Sequence, residues 1–246
     1  MKINFRPREL FFCAALGVNA NNADEWWKYS DDQMRGDQSR GHMTMTITTP
    51  NWKRTLEIES DVNGTKEALS TIIAPAKEKG IRTLRIEKNM WNYFPKLKRK
   101  VAVSSSMLLA SWMGSDFTND DILKASSMSS DYSHTFLPDE KWQGEEMRTI
   151  ENKAKSDSKV MWPKIVTLSS KKDCLPRINR YYDKENNLKR VLTFSEVKNF
   201  DGHKVLTIWK MRPTDDESKE TTLIYNKIDF KVKFPSSHFT QKTLTQ

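Results

Sequence analysis

From residue 42 onward the chain alternates between apolar and polar positions. In "HMTMTITT" (42–49) Met43, Met45 and Ile47 alternate with Thr44, Thr46 and Thr48. "RTLEIES" (54–60) sets Leu56 and Ile58 against Thr55, Glu57 and Glu59, and "IRTLRIEK" (81–88) sets Leu84 and Ile86 against Arg85 and Glu87. A period of two marks antiparallel strands with one buried and one wet face. Asn63-Gly64 and Lys79-Gly80 supply turns between them. "NMWNYFP" (89–95), which carries Trp91 and Tyr93, and "KRKVAV" (98–103) extend the meander, with Pro95 closing a strand. Further strands are predicted at 131–137, 147–150, 160–168, 175–183, 188–197, 203–212 and 221–232, with turns at Asp183–Asn187 and Asp201-Gly202.

One stretch breaks the rhythm. "SSSMLLASWMGSDFTNDDILKASS" (104–127) has no period of two, and small residues surround Met107, Leu108, Leu109, Trp112 and Met113. Thr118 with Asp121 three residues later resembles a capping box, and Asp120 and Asp121 suit the positive end of a helix. Two short helices flanking Gly114 are expected here, and a further helix over 23–36. Ten or more short strands with few helices and no βαβ rhythm predict a mainly β fold, a barrel or strongly curved antiparallel sheet.

Composition bounds the rest. The 246 residues carry a net charge of +9 and a mean hydropathy of −0.73, and no apolar run approaches the roughly 18 residues of a spanning helix. The 25 aromatic residues argue against long disorder. At the N-terminus, Lys2, Arg6 and Arg8 precede the apolar "LFFCAALGV" (10–18), with small-residue cleavage sites at Ala20 or Ala23. That pattern reads as a signal peptide over 1–20, followed by a single domain over 24–246. Cleavage would remove Cys13, leaving Cys174 alone and no disulfide. It would also remove three basic residues and Glu9, taking the charge from +9 to +7.

Candidate chemistry is sparse. The four histidines (His42, His134, His203, His238) stand apart from one another in the sequence, and no zinc, nucleotide-binding or acyl-transfer motif occurs. Asp116, Asp120 and Asp121 lack calcium-loop spacing, and helix capping accounts for them. The expectation is a protein without catalytic residues, cofactor or metal. "PKLKRK" (95–100) is the densest basic run. On a strand, Lys96, Lys98 and Lys100 would share one face, with Arg99 between them. Without a nucleic-acid motif, this run reads as a docking surface for anionic head groups or an acidic partner, or as a solvated hairpin protected from edge pairing. Methionine and tryptophan recur on the apolar faces and in the break, and their adaptability suits either core filling or a ligand cavity.

"MGSDFTNDD" (113–121), with "DYSHTFL" (131–137) shortly after it, resembles the outer-membrane lipoprotein-sorting family of Gram-negative bacteria, the LolA/LolB-like superfamily, in its larger LolA-like branch. "MTMTITTPNWKRTLEIES", "GIRTLRIEKNMWNYFPKLKRKV", "RINRYYDKENNLKRVL" and "FTQKTL" follow in the family's order, so that the resemblance covers about residues 24–245. It implies an unclosed, strongly curved β-barrel with short helices forming a lid over an apolar cavity. It also implies a non-catalytic, periplasmic carrier of lipid or lipoprotein acyl chains. Partners would be an inner-membrane transporter of ABC or RND type and an outer-membrane acceptor, with no nucleic acid; service to an RND-type lipid exporter, or a non-catalytic structural role in the envelope, are the alternatives. On this reading Met43, Met45, Ile47, Leu56, Ile58, Leu84, Ile86, Trp91, Tyr93, Met107, Leu108, Trp112, Met113 and Phe117 line the ligand site. Gly114 is the lid's joint, and Asp116, Asp120 and Asp121 are its polar anchors.

Overall fold

A computed structural model describes residues 11–13, 18–20, 22–124, 128–158 and 160–245. Most of the expected leader therefore lies outside the described residues. Within it, β1 (Phe11–Cys13) and β2 (Val18–Ala20) pair antiparallel. The helix predicted at the front is α1 (Ala23–Met34), capped by the Asn22 side chain, which accepts from the Glu25 amide at 2.9 Å.

Six strands follow as a meander: β3 (Gln38–Thr48), β4 (Lys53–Asn63), β5 (Glu67–Ala74), β6 (Arg82–Ile86), β7 (Asn89–Phe94) and β8 (Arg99–Ala102). Seven more return from the far side: β9 (Tyr132–Trp142), β10 (Glu145–Ala154), β11 (Lys164–Ser170), β12 (Pro176–Tyr182), β13 (Leu188–Phe200), β14 (His203–Pro213) and β15 (Glu220–Asp229). Together they form one antiparallel sheet in the order β8-β7-β6-β5-β4-β3-β15-β14-β13-β12-β11-β10-β9. The chain starts in the middle, walks out to one edge at β8, resumes at the opposite edge with β9, and walks back until β15 meets β3. The two edges, β8 and β9, do not pair with each other among the described residues, so the curved barrel is open.

Register identifies the two faces. Ile150, Thr167, Asn179, Leu192, Met211, Thr221, Ile47 and Arg54 are successive cross-strand partners and form a row across the inner face. This is the face that the crossing segment, residues 103–124, covers. β5 was not evident as a strand because its alternation is broken. Leu69 and Ile72 are both buried but belong to different clusters, and the register with β4 shifts between Glu57 and Ile58.

The outer face is also covered in places. The C-terminal segment lays Phe239 and Leu244 on Leu69 and Leu84, with Ile86, Trp91 and Tyr93 packed around them. On β10–β12, Met147, Val166, Leu168 and Ile178 form a second outer cluster. Cys174 is buried and takes part in no disulfide among the described residues. No helix among the described residues is long and apolar enough to cross a membrane.

Candidate functional site

The inner face of β3 and β4 places Met43, Met45, Ile47, Leu56 and Ile58 side by side, all buried, with Ile72, Met90 and Leu223 beside them. Alternate residues of a strand point the same way, so the methionine-threonine alternation becomes an apolar floor with a threonine exterior. A second apolar cluster continues the floor over β11–β14 through Leu192, Phe194, Leu206 and Met211.

The crossing segment closes this floor with its own side chains. Trp112 is only 4% exposed and belongs to the first cluster. Its indole Nε1 donates to Thr83 Oγ1 at 3.0 Å, and that hydroxyl donates on to Asn92. Met113, Ile122 and Leu123 pack against the same cluster, while Phe117 enters the second. The apolar volume expected for a ligand is thus occupied by the cover. An open pocket of about 500 Å³ lies elsewhere, between α1 and β9, lined by Asp24, Lys28, Asp31, Tyr132, His134 and Lys155 among others.

The cover is a compact unit. The Trp112 amide donates to Phe117 O at 2.7 Å, Asn119 N to Ala110 O at 3.0 Å and Asp120 N to Leu108 O at 3.0 Å. The capping box read from the sequence is present: Asp121 Oδ2 accepts from the Thr118 amide at 2.7 Å, and the Asp121 amide donates to Thr118 Oγ1 at 3.2 Å. It opens α2 (Asn119–Lys124). In place of an α-helix before Gly114 there are two 3-10 turns, Ser105–Met107 and Trp112–Gly114, and in the second Met113 is left-handed at φ 52° and Gly114 at φ 70°. A Cβ at Gly114 would lie 3.4 Å from the Arg54 guanidinium, so both the backbone and the space favour glycine.

Three polar clamps hold the cover to the sheet. Arg190 of β13 reaches up to Asp121, with Nη1 2.7 Å from Oδ2 and Nη2 on Oδ1, and its guanidinium lies against both the Trp162 and Tyr181 rings at 4.3 and 4.4 Å, the rings themselves meeting edge-on. Arg54 of β4 donates to the carbonyl of Met113 and pairs with Glu78 at 3.1 Å. Thr221 of β15 accepts from the Asp116 amide at 2.9 Å and donates to its carboxylate at 2.6 Å. Burial pushes the Asp116 carboxyl above the ordinary carboxylate range, against the lowering effects of Thr221, Lys219 and Arg190. Asp120, buried, accepts from the Met161 amide at 3.3 Å. Among the described residues no group of histidine, cysteine and carboxylate side chains has the arrangement to hold a metal ion.

The structure divides the residues expected at the ligand site. Met43, Met45, Ile47, Leu56, Ile58, Trp112, Met113 and Phe117 converge on the inner face. Leu84, Ile86, Trp91 and Tyr93 do not: they sit on the outer face under Phe239 and Leu244, because β6 and β7 present their even- and odd-numbered apolar sets away from the cover. Met107 and Leu108 are partly exposed and stand outside both inner clusters; their carbonyls bond to Asn119 and Asp120. Lys96 and Lys98 are not on a strand either. Pro95–Leu97 is a 3-10 turn and Lys98 is left-handed at φ 47°, so the run forms a hairpin tip. Arg54, Arg190 and Thr221 were not anticipated. The available signal was phase: Arg190 shares parity with buried Leu192 and Phe194, a charge in step with a core face.

Residues 64–246 match the model of a family described as "Uncharacterized protein". No curated protein matches the sequence. Among solved structures, a domain described as an outer membrane lipoprotein-sorting protein from Vibrio parahaemolyticus superposes with a TM-score of 0.81 at 22% identity, over 91% of this chain and 98% of that one. A DUF1329 family protein from Desulfovibrio piger gives 0.83 at 20% identity, over 90% and 97%. A LolA superfamily protein from Nitrosomonas europaea gives 0.77 at 18% identity, over 90% and 99%. The chain belongs to the family whose model it matches, and it is built on the fold that the lipoprotein-sorting domain and the LolA superfamily protein share.

Proposed function

We propose that this protein is a non-catalytic periplasmic carrier that takes acyl chains of a lipoprotein or another lipid onto the inner face of its sheet when the cover formed by residues 103–124 lifts. The observation that carries the reading is the cover itself. An apolar floor built by β3, β4 and β11–β14 is sealed by Trp112, Met113, Phe117 and Ile122 from a single crossing segment. That segment turns on left-handed Met113 and Gly114 and is fastened by a small set of polar clamps. The resemblance to lipoprotein-sorting structures points the same way.

The energetics favour exchange over simple binding. An acyl chain gains about 0.8 kcal/mol for each CH₂ removed from water. Replacing the cover's apolar side chains by an acyl chain exchanges one buried apolar surface for another. The balance then falls to the clamps, which a loading or accepting partner can tip by a few kcal/mol. On this reading the leader over 1–20 exports the chain, an inner-membrane transporter of ABC or RND type loads it, and an outer-membrane acceptor empties it. Native mass spectrometry of protein extracted from membranes, with titration of a fluorescent fatty acid, tests the proposal. Adducts of lipid mass and saturable uptake are expected; a bare polypeptide that takes up no probe would refute it.

A further inference from the structure

Strand direction gathers three turns of the β3–β8 half at one end of the sheet. β3 rises into the turn at 49–52, β5 into the loop at 75–81, and β7 into the turn at 95–98. The first carries Trp52, 46% exposed, next to Lys53. The second carries exposed Lys77 and Lys79, and the third carries Lys96 and Lys98 on either side of Leu97, which is 71% exposed. The latter two loops touch: a Cβ on Gly80 would lie 3.3 Å from Pro95. Glu78, the acidic residue of the second loop, is taken up by Arg54 at 3.1 Å. None of the five lysines has a carboxylate partner among the described residues.

Backbone hydrogen bonds close the first and third turns, which carry the exposed apolar residues. The Thr49 amide closes the first turn on Trp52 O at 2.9 Å, and the Lys98 amide closes the third on Pro95 O at 3.0 Å. An exposed leucine at the tip of a lysine-flanked hairpin, with a half-exposed tryptophan on the same rim, combines shallow apolar insertion with attraction to negative charge. We propose that this rim docks the protein on an anionic phospholipid bilayer, with Leu97 and Trp52 entering the head-group layer and the lysines contacting phosphates. The proposal stands apart from acyl carriage, since a protein that never lifts its cover can still dock.

The test is sedimentation of the full chain with extruded vesicles, either phosphatidylcholine alone or phosphatidylcholine mixed with phosphatidylglycerol. Binding is expected to the mixed vesicles and not to the neutral ones. Near an anionic surface each lysine is worth roughly fivefold in partitioning, so Lys96→Gln with Lys98→Gln should lower it about thirtyfold at low salt. Leu97→Ser should lower it about tenfold and keep that effect as salt rises. Lys88→Gln with Lys198→Gln, an equal charge change at the opposite end of the strands, should change it little. All these side chains are exposed, so the variants should melt with the parent. A control pair that loses as much as the rim pair, a Leu97→Ser variant that binds like the parent, or failure to bind phosphatidylglycerol vesicles (the result expected if the rim meets an acidic protein) would each overturn the proposal.

Discussion

Replacing Asp121 by asparagine isolates the strongest clamp. The Arg190 side chain is 5% exposed and that of Asp121 14%, so their charges depend on each other more than on water. Asparagine keeps a side-chain oxygen for the Thr118 amide but leaves the guanidinium buried without its counter-charge. Breaking a buried pair from one side costs about 3–5 kcal/mol. The two adjacent rings offset part of that, so about 3 kcal/mol falls on the closed state. Ligand affinity scales with the fraction of molecules whose cover is open, so apparent affinity for a fluorescent fatty acid should rise on the order of 100-fold. Loss of stability alone does not predict this. Leu168→Ala, which truncates a fully buried residue of the outer cluster, should cost a similar 2–5 kcal/mol and leave uptake unchanged. Pairing Arg190→Met with Asp121→Leu removes both charges and should return uptake toward the parent value. Denaturant titration and probe fluorescence measure both quantities. If Asp121→Asn lowers stability without strengthening uptake, the cover is ordinary core and the clamp argument fails.

Other perturbations separate the same alternatives. Trp112→Ala removes the largest plug of the inner face and should lower stability by about 3–5 kcal/mol while tightening probe binding; weaker binding would make Trp112 a wall of the site and not its plug. Phe239→Ala should cost a comparable amount by calorimetry, with uptake unaltered, because Phe239 covers the outer face. The raised Asp116 carboxyl gives a pH signature. A closed state that holds a proton more tightly than the open one is most stable in acid, and it loses that advantage as pH rises through the raised pKa. Uptake should therefore strengthen as pH rises through the raised pKa, and Asp116→Asn should flatten the profile. An unchanged profile in that variant would show that Asp116 does not report on closure.

Much of this architecture was legible in the alternation of residues, and each failure has a physical cause. Period two states which residues share a face, but a curved sheet has two faces and the sequence does not say which is inner. Met43 and Met45 alternate with threonine and lie under the cover, while Leu84 and Ile86 alternate with arginine and glutamate and lie under the C-terminal segment. Local polar chemistry was readable because its partners are three residues apart, as in the Thr118–Asp121 box. The clamps were not, since Arg190 meets Asp121 across 69 positions and Thr221 meets Asp116 across 105. The basic run misled for a different reason: Pro95 and left-handed Lys98 turn a segment that alternates on paper into a hairpin tip.

The central claim is that the inner face of β3 and β4 becomes an acyl site once its own cover leaves it. Photocrosslinking with a diazirine fatty acid, followed by peptide mapping of the adducts, tests that claim most directly. The account predicts adducts on Met43, Met45, Leu56 or Ile58, increasing in the Asp121→Asn variant. Adducts confined to the outer face around Trp91, or to the pocket beside His134, would contradict it.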